Sequence, residues 1–200
     1  MKLREVAGLS GLMDKAPFNW LDCRAGYESA HCRFLSGRDA ARHLGDMTAA
    51  DDDRVGIFLP DVYASEFFYQ EERGNYISTM AYMRMINDLQ SVEIESYDLL
   101  FACFVVLHEY GHWLHFRRCR KSGLDYVLWL DKHLAPVERQ RMVLDMIPDA
   151  EPLKEELVVE HINAYNAMPQ EFSANKYALK RVGRLYRLVL AHCGREASAG

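Results

Sequence analysis

"YDLLFACFVVLHEYGHWLHFRRCRK", residues 97–121, decides the reading of this chain. It is almost wholly apolar from Leu99 to Leu107. Ser96 ahead of it is a good N-cap, and Asp98 in the first turn suits the helix dipole. The stretch therefore predicts a buried central helix. Three ionisable side chains, His108, Glu109 and His112, follow directly in the same helix. Polar groups without partners are costly in an apolar interior, so these three call for one. On a 3.6-residue repeat, His108 and His112 project from one face and can reach a single ion. Neutral imidazole nitrogen suits Zn²⁺. Glu109 falls beside that ion without having to ligate it, placed to take a proton from water. The spacing H-E-x-x-H should arise by accident only roughly 0.02 times in a chain of this composition. Gly111 costs about 1 kcal/mol of helix stability relative to alanine, which is bearable if a partner helix must pack close at that point.

Catalytic zinc commonly takes three protein ligands and leaves a position open. The longer pattern H-E-x-x-H-x-x-G-x-x-H is absent, because positions 115 and 118 hold His115 and Arg118. His115 lies roughly 60° round the helix from His112, which suits a supporting or surface role. The best third ligand is Glu171 in "MPQEFSANKYA", 59 residues after His112. Asn175, four positions on, shares its face and could hydrogen-bond the far ring nitrogen of a ligand histidine. Ala174 and Ala178 are small enough to let the two helices approach. Glu160 and His161 are the alternatives. A developing oxyanion needs a donor; His161 and Tyr165 are the first candidates, ahead of His115 and Tyr110.

"LHEYGHWLH" followed by Glu171, Ala174, Asn175 and Ala178 resembles the gluzincin zinc metallopeptidases, most of all the compact ImmA/IrrE-like group. The resemblance covers residues 99–119 and 169–179. It implies that His108, His112 and Glu171 bind zinc, that Glu109 is the general base, and that Asn175 supports a ligand. It further implies a small sheet ahead of the active-site helix, a protein or peptide substrate, and a bacterial or phage setting.

The rest of the sequence frames this site. Half of the 200 residues are hydrophobic and 12% are aromatic, enough for a sizeable core. The reading is a single domain over 1–200, with a mixed α/β part to 95 and a helical part from 96. The fold class is α+β, mostly α. A net charge of −5 argues against a nucleic-acid binder. No apolar run reaches membrane-span length, and the start has no apolar signal region. Five scattered cysteines without a C-x-x-C pair suit a reduced, cytoplasmic protein. Strands are predicted over 54–61 and 65–70, a turn over 73–76, and either strand or helix over 76–89. The acidic run 51–54 reads as a solvated loop, and Gly123 as the stop of the central helix. Further helices are predicted over 124–134, 136–147, 152–168 and 169–194. "GIFLP" (56–60) or residues 76–83 would be the strand that lines a substrate cleft. A second class of reading is a zinc-binding regulatory or interaction module without turnover, docking through the basic stretch 180–195. A third keeps the same residues and hydrolyses a non-peptide amide.

Overall fold

A computed structural model describes residues 1–24, 26–45, 52–89, 94–148 and 153–199. Helix α1 (Leu3–Ser10) opens the chain, followed by strands β1 (Phe18–Leu21) and β2 (His31–Arg33), helix α2 (Gly37–Leu44) and strand β3 (Gly56–Pro60). Six helices complete it: α3 (Ala64–Leu89), α4 (Tyr97–Cys119), α5 (Gly123–Met146), α6 (Leu153–Ala167), α7 (Pro169–Leu179) and α8 (Val182–Ala199). The class is α+β and mostly α, a small sheet packed against a central helix. No described helix is long and apolar enough to cross a membrane.

β3 is the middle strand, in the order β1-β3-β2, and all five of its residues are buried. β1 joins it in parallel, Phe18 opposite Ile57, and β2 antiparallel, Cys32 opposite Ile57 from the other side. Gly56 enters the strand at φ +123°, where a Cβ would stand 2.3 Å from the Pro17 carbonyl oxygen. Glycine is required there on both counts.

α4 is the hub. Its side chains are buried without interruption from Leu100 to Trp113, and it touches α1, α3, α7, α8 and the strands β2 and β3. Its start is held in an unexpected way. Ser96 occupies the N-cap position, but its hydroxyl bonds the Asp98 carboxylate rather than a helix N–H. The backbone N–H groups of Glu95 and Ser96 instead donate to the Tyr186 hydroxyl of α8, at 2.9 and 2.8 Å. Tyr186→Phe should therefore strand two partly buried donors at a cost of about 1–2 kcal/mol. A thermal melt should fall by roughly 2–8 °C. An unchanged melt would show that water replaces the hydroxyl there.

Several expected boundaries need correction. Residues 65–70 and 73–76, read as strand and turn, lie in α3, and the ambiguous 76–89 is helical as well. The Phe67, Phe68 and Ala64 positions bury a helical face there rather than an alternating one. Two strands, β1 and β2, went unread in the first 54 residues. Each is too short, at four and three residues, to show an alternating pattern. α4 ends at Arg120 in the left-handed region (φ 51°), and Gly123 opens α5 instead of closing α4. A Cβ at Gly123 would meet the Phe34 carbonyl oxygen at 2.2 Å, so this glycine serves a close approach. The helices expected over 124–134 and 136–147 are one, α5, with Pro136 inside it. Pro136 and Lys132 are exposed, so the carbonyl that proline leaves without its helical donor can bond water. Conversely, 169–194 is two helices that part at Lys180–Arg181. Glu171, Ala174, Asn175 and Ala178 face α4, while Val182, Leu185, Tyr186 and Val189 bury a second stripe on α8. The two sets keep one helical phase across the break, so the apolar pattern alone does not mark it. Of the acidic run 51–54, Asp51 lies outside the described residues. Asp52 is in irregular structure as expected but pairs with Arg33 and Arg54, both at 2.9 Å.

Candidate metal centre

α4 and α7 cross with Gly111 against Ala174. A Cβ on Gly111 would stand 2.6 Å from the Ala174 Cα and 3.0 Å from its carbonyl oxygen. The close approach that glycine and alanine permit brings Glu171 to the histidines. His108 Nε2 and His112 Nε2 lie 2.9 Å apart. Glu171 Oε2 is 3.5 Å from the first, and Glu171 Oε1 is 3.5 Å from the second. All three residues are buried. A tetrahedral ion bound at about 2.0–2.1 Å holds its donors roughly 3.3 Å apart, so these spacings fit one ion among the three. The orphaned atoms point the same way: Glu171 Oε2 is buried without a hydrogen-bond partner. Two imidazoles and a carboxylate are a donor set suited to zinc.

The supporting residues follow. Tyr165 of α6 donates its hydroxyl to Glu171 Oε1 at 3.1 Å. Asn175 lies beside His108 and favours its protonated form. His108 Nδ1 and Asn175 Oδ1 are both buried and unpartnered, and they are the two atoms that a bond fixing the histidine tautomer would join. Asn175 Nδ2 is anchored to Asn166 Oδ1 at 3.1 Å.

Protonation is matched to a cation. Burial pulls His112 down to about 4, so it is neutral at pH 7 with a lone pair to offer. Burial opposes ionisation of Glu171, but His112 and His108 outweigh it and hold the carboxyl below its ordinary value. His108 is the reverse case: burial lowers it, and Glu171, Glu109 and Asn175 together raise it. A proton on His108 thus competes with a metal ion. Glu109 is not a partner of Glu171. Burial pushes its carboxyl up to about 7, and Glu171 and Glu71 add to the rise against the opposing pull of His108. Its carboxylate lies within 4.8 Å of the imidazole donors.

The cluster forms one wall of a cavity of about 440 Å³. Ser29 and Ala30, just ahead of β2, border it together with His31 and Cys32 of the strand. Burial and the neighbouring Glu109 carboxylate raise the Cys32 thiol, which locates β2 alongside Glu109. β2 is an edge strand, so the strand lining the cleft is neither "GIFLP", which is central, nor 76–83, which is helical.

Other sequence candidates lie elsewhere. Glu160 is exposed, and neither it nor His161 lines the cavity. His115 turns away to Tyr126, its Nδ1 2.7 Å from the hydroxyl, and Cys119 packs half-buried against it. Tyr110 packs on Tyr177 of α7. Tyr82 and Glu71 of α3 do line the cavity, the Tyr82 ring 5.6 Å from that of His108. Both were missed, since no spacing relative to His108 marks them in a segment of undecided structure. The five cysteines are free. Comparison with known protein families, with curated proteins and with solved structures returns no match to this chain.

Proposed function

We propose that the protein is a zinc-dependent peptidase, with His108, His112 and Glu171 as ligands and Glu109 as general base. One observation carries this reading. Three donors meet at a cavity wall beside a buried carboxylate, whereas structural zinc sites are closed by four protein ligands. Zinc bound there supplies Lewis acidity, polarising a carbonyl oxygen and acidifying water. Glu109, raised to about 7, is poised to accept a proton from the attacking water and return it to the leaving nitrogen. Tyr165 and Tyr82, both held protonated by burial, are the neutral donors in the wall for a developing negative charge. The free edge of β2 can pair with an extended peptide and carry it past Glu109. The resemblance to the ImmA/IrrE-like peptidases and the free cysteines favour a cytoplasmic, bacterial or phage enzyme acting on a protein or peptide.

Elemental analysis tests the centre. Wild-type protein should hold about one zinc per chain, and Glu171→Ala should lose most of it. Retention of zinc by Glu171→Ala would exclude Glu171 as a ligand. Absence of metal from wild type after zinc is restored would end the peptidase reading.

A further inference from the structure

One carboxylate in the cavity lies outside the donor set just described. Glu71 sits on α3 one turn after Phe67, on the same helical face, and both line the cavity. Tyr27 donates its hydroxyl to Glu71 Oε1 at 2.5 Å, which orients the carboxylate. No cation pairs with it among the described residues, and none of the cavity's described lining residues is lysine or arginine. The wall below it is aromatic. Phe67 stacks on Phe101 at 5.5 Å, and Phe104 continues that surface to His108 at 5.6 Å. An apolar floor that ends in an oriented carboxylate matches a side chain with an aliphatic stem and a cationic head. The aromatic faces add their own attraction for a cation. The volume of about 440 Å³ lies within the ordinary range for ligand sites, roughly 300–1,000 Å³. An acidic substrate side chain would instead meet a carboxylate with no compensating charge.

Resting on the peptidase reading, we propose that Glu71 selects a cationic group on the substrate, a lysine or arginine side chain laid along Phe67, Phe101 and Phe104. The same chemistry could be supplied by a free peptide N-terminus, and the test separates the two.

The experiment uses the zinc-loaded full chain carrying Glu109→Gln, so that peptides bind without turnover. Four fluorescent octapeptides are titrated. Three have blocked termini and differ at one central position, which is lysine, norleucine or glutamate. The fourth has norleucine at that position and a free N-terminus. The lysine peptide should bind at least 10-fold more tightly than its norleucine counterpart, and the glutamate peptide most weakly. Adding Glu71→Gln, which keeps an acceptor for Tyr27, should bring the lysine and norleucine peptides within about 3-fold of each other. With Glu109 intact, Glu71→Gln should raise KM for the lysine peptide but not for the norleucine peptide, which a merely structural role would not do. A Glu71-dependent advantage for the free-terminus peptide alone would move the recognised cation to the α-amine and overturn the side-chain assignment. Equal binding of the three blocked peptides, or no binding, overturns the proposal, and that comparison needs no change at position 71. Charge-selective binding with no cleavage by wild-type protein would sink the peptidase reading and leave the cation site standing.

Discussion

Gly111→Ala is expected to strip the metal centre and destabilise the protein, although alanine is the better helix former. In an open helix the change would gain about 1 kcal/mol. Here the new methyl would stand 2.6 Å from the Ala174 Cα and 3.0 Å from the Ala174 carbonyl oxygen, which are backbone atoms that cannot swing aside. α7 must move off α4. Overpacking of this kind costs typically about 1–3 kcal/mol, and a backbone clash belongs at the upper end. The displacement also carries Glu171 away from imidazole nitrogens that now stand 3.5 Å from it. Zinc content should fall well below one per chain and the melting temperature should drop. Gly8→Ala is the control: it is also a helical glycine, but a Cβ there meets nothing within 4 Å, so the melt should rise slightly. Full zinc content and an unchanged melt in Gly111→Ala would show that the crossing is looser than a 2.6 Å approach implies.

Glu109→Gln should separate catalysis from folding. Loss of a general base lowers turnover by about 10²–10⁴-fold. Zinc content should be unchanged, since three other residues supply the donors. The metal-free proteins should also differ with pH, and the sign follows from burial. Glu109 titrates at about 7 in the fold against 4.5 in the open chain. The fold thus holds this proton more tightly than the unfolded chain does. Its contribution to stability is fully present below about pH 4.5 and is lost as pH rises through about 7. Glutamine does not ionise, so metal-free Glu109→Gln should be more stable than metal-free wild type at pH 8, by up to about 3 kcal/mol, and comparable near pH 4.5. His112 works in the opposite direction, because its depressed value supports the fold above about 6.5 and is lost as pH falls toward about 4. That slope is common to both proteins and cancels in the comparison. Denaturant titrations at the two pH values would check it. Undiminished peptide hydrolysis by Glu109→Gln would remove this residue from the mechanism.

The central helix and the helix turn that bears Glu171 were legible because each carries its own local signal. Nine apolar residues ahead of H-E-x-x-H announce burial, and a proline, an acid and two alanines at helical spacing announce a first turn that docks on something. Gly111 and Ala174 are each legible as small residues that permit a close helix approach, though only the fold sets one against the other. The cavity was much harder to read. Its outer wall comes from β2, three residues whose pairing depends on β3, 23 residues away at the nearest. Glu71 and Tyr82 stand on α3, where Gly74 and Asn75 mimic a turn and the apolar residues suit either period. Tertiary contacts decide such segments, and nothing local reports them. The break at Lys180–Arg181 was hidden for a related reason. The amphipathic pattern runs on through it, and α8 still packs on α4 while adding α1, so nothing local reports two helices.

The crossing of α4 with α7 also sets an order of events during synthesis. Both histidines leave the ribosome before Glu171, which follows His112 by 59 residues. At roughly 5–20 residues per second, this interval is on the order of 3–12 seconds. Throughout it the growing chain carries two imidazoles and a base but lacks the carboxylate that completes the donor set. If the protein is the peptidase proposed, a nascent chain, or one cut short before Pro169, would lack the third donor and so be inert. Only a chain that has docked α7 holds Glu171 beside both imidazoles.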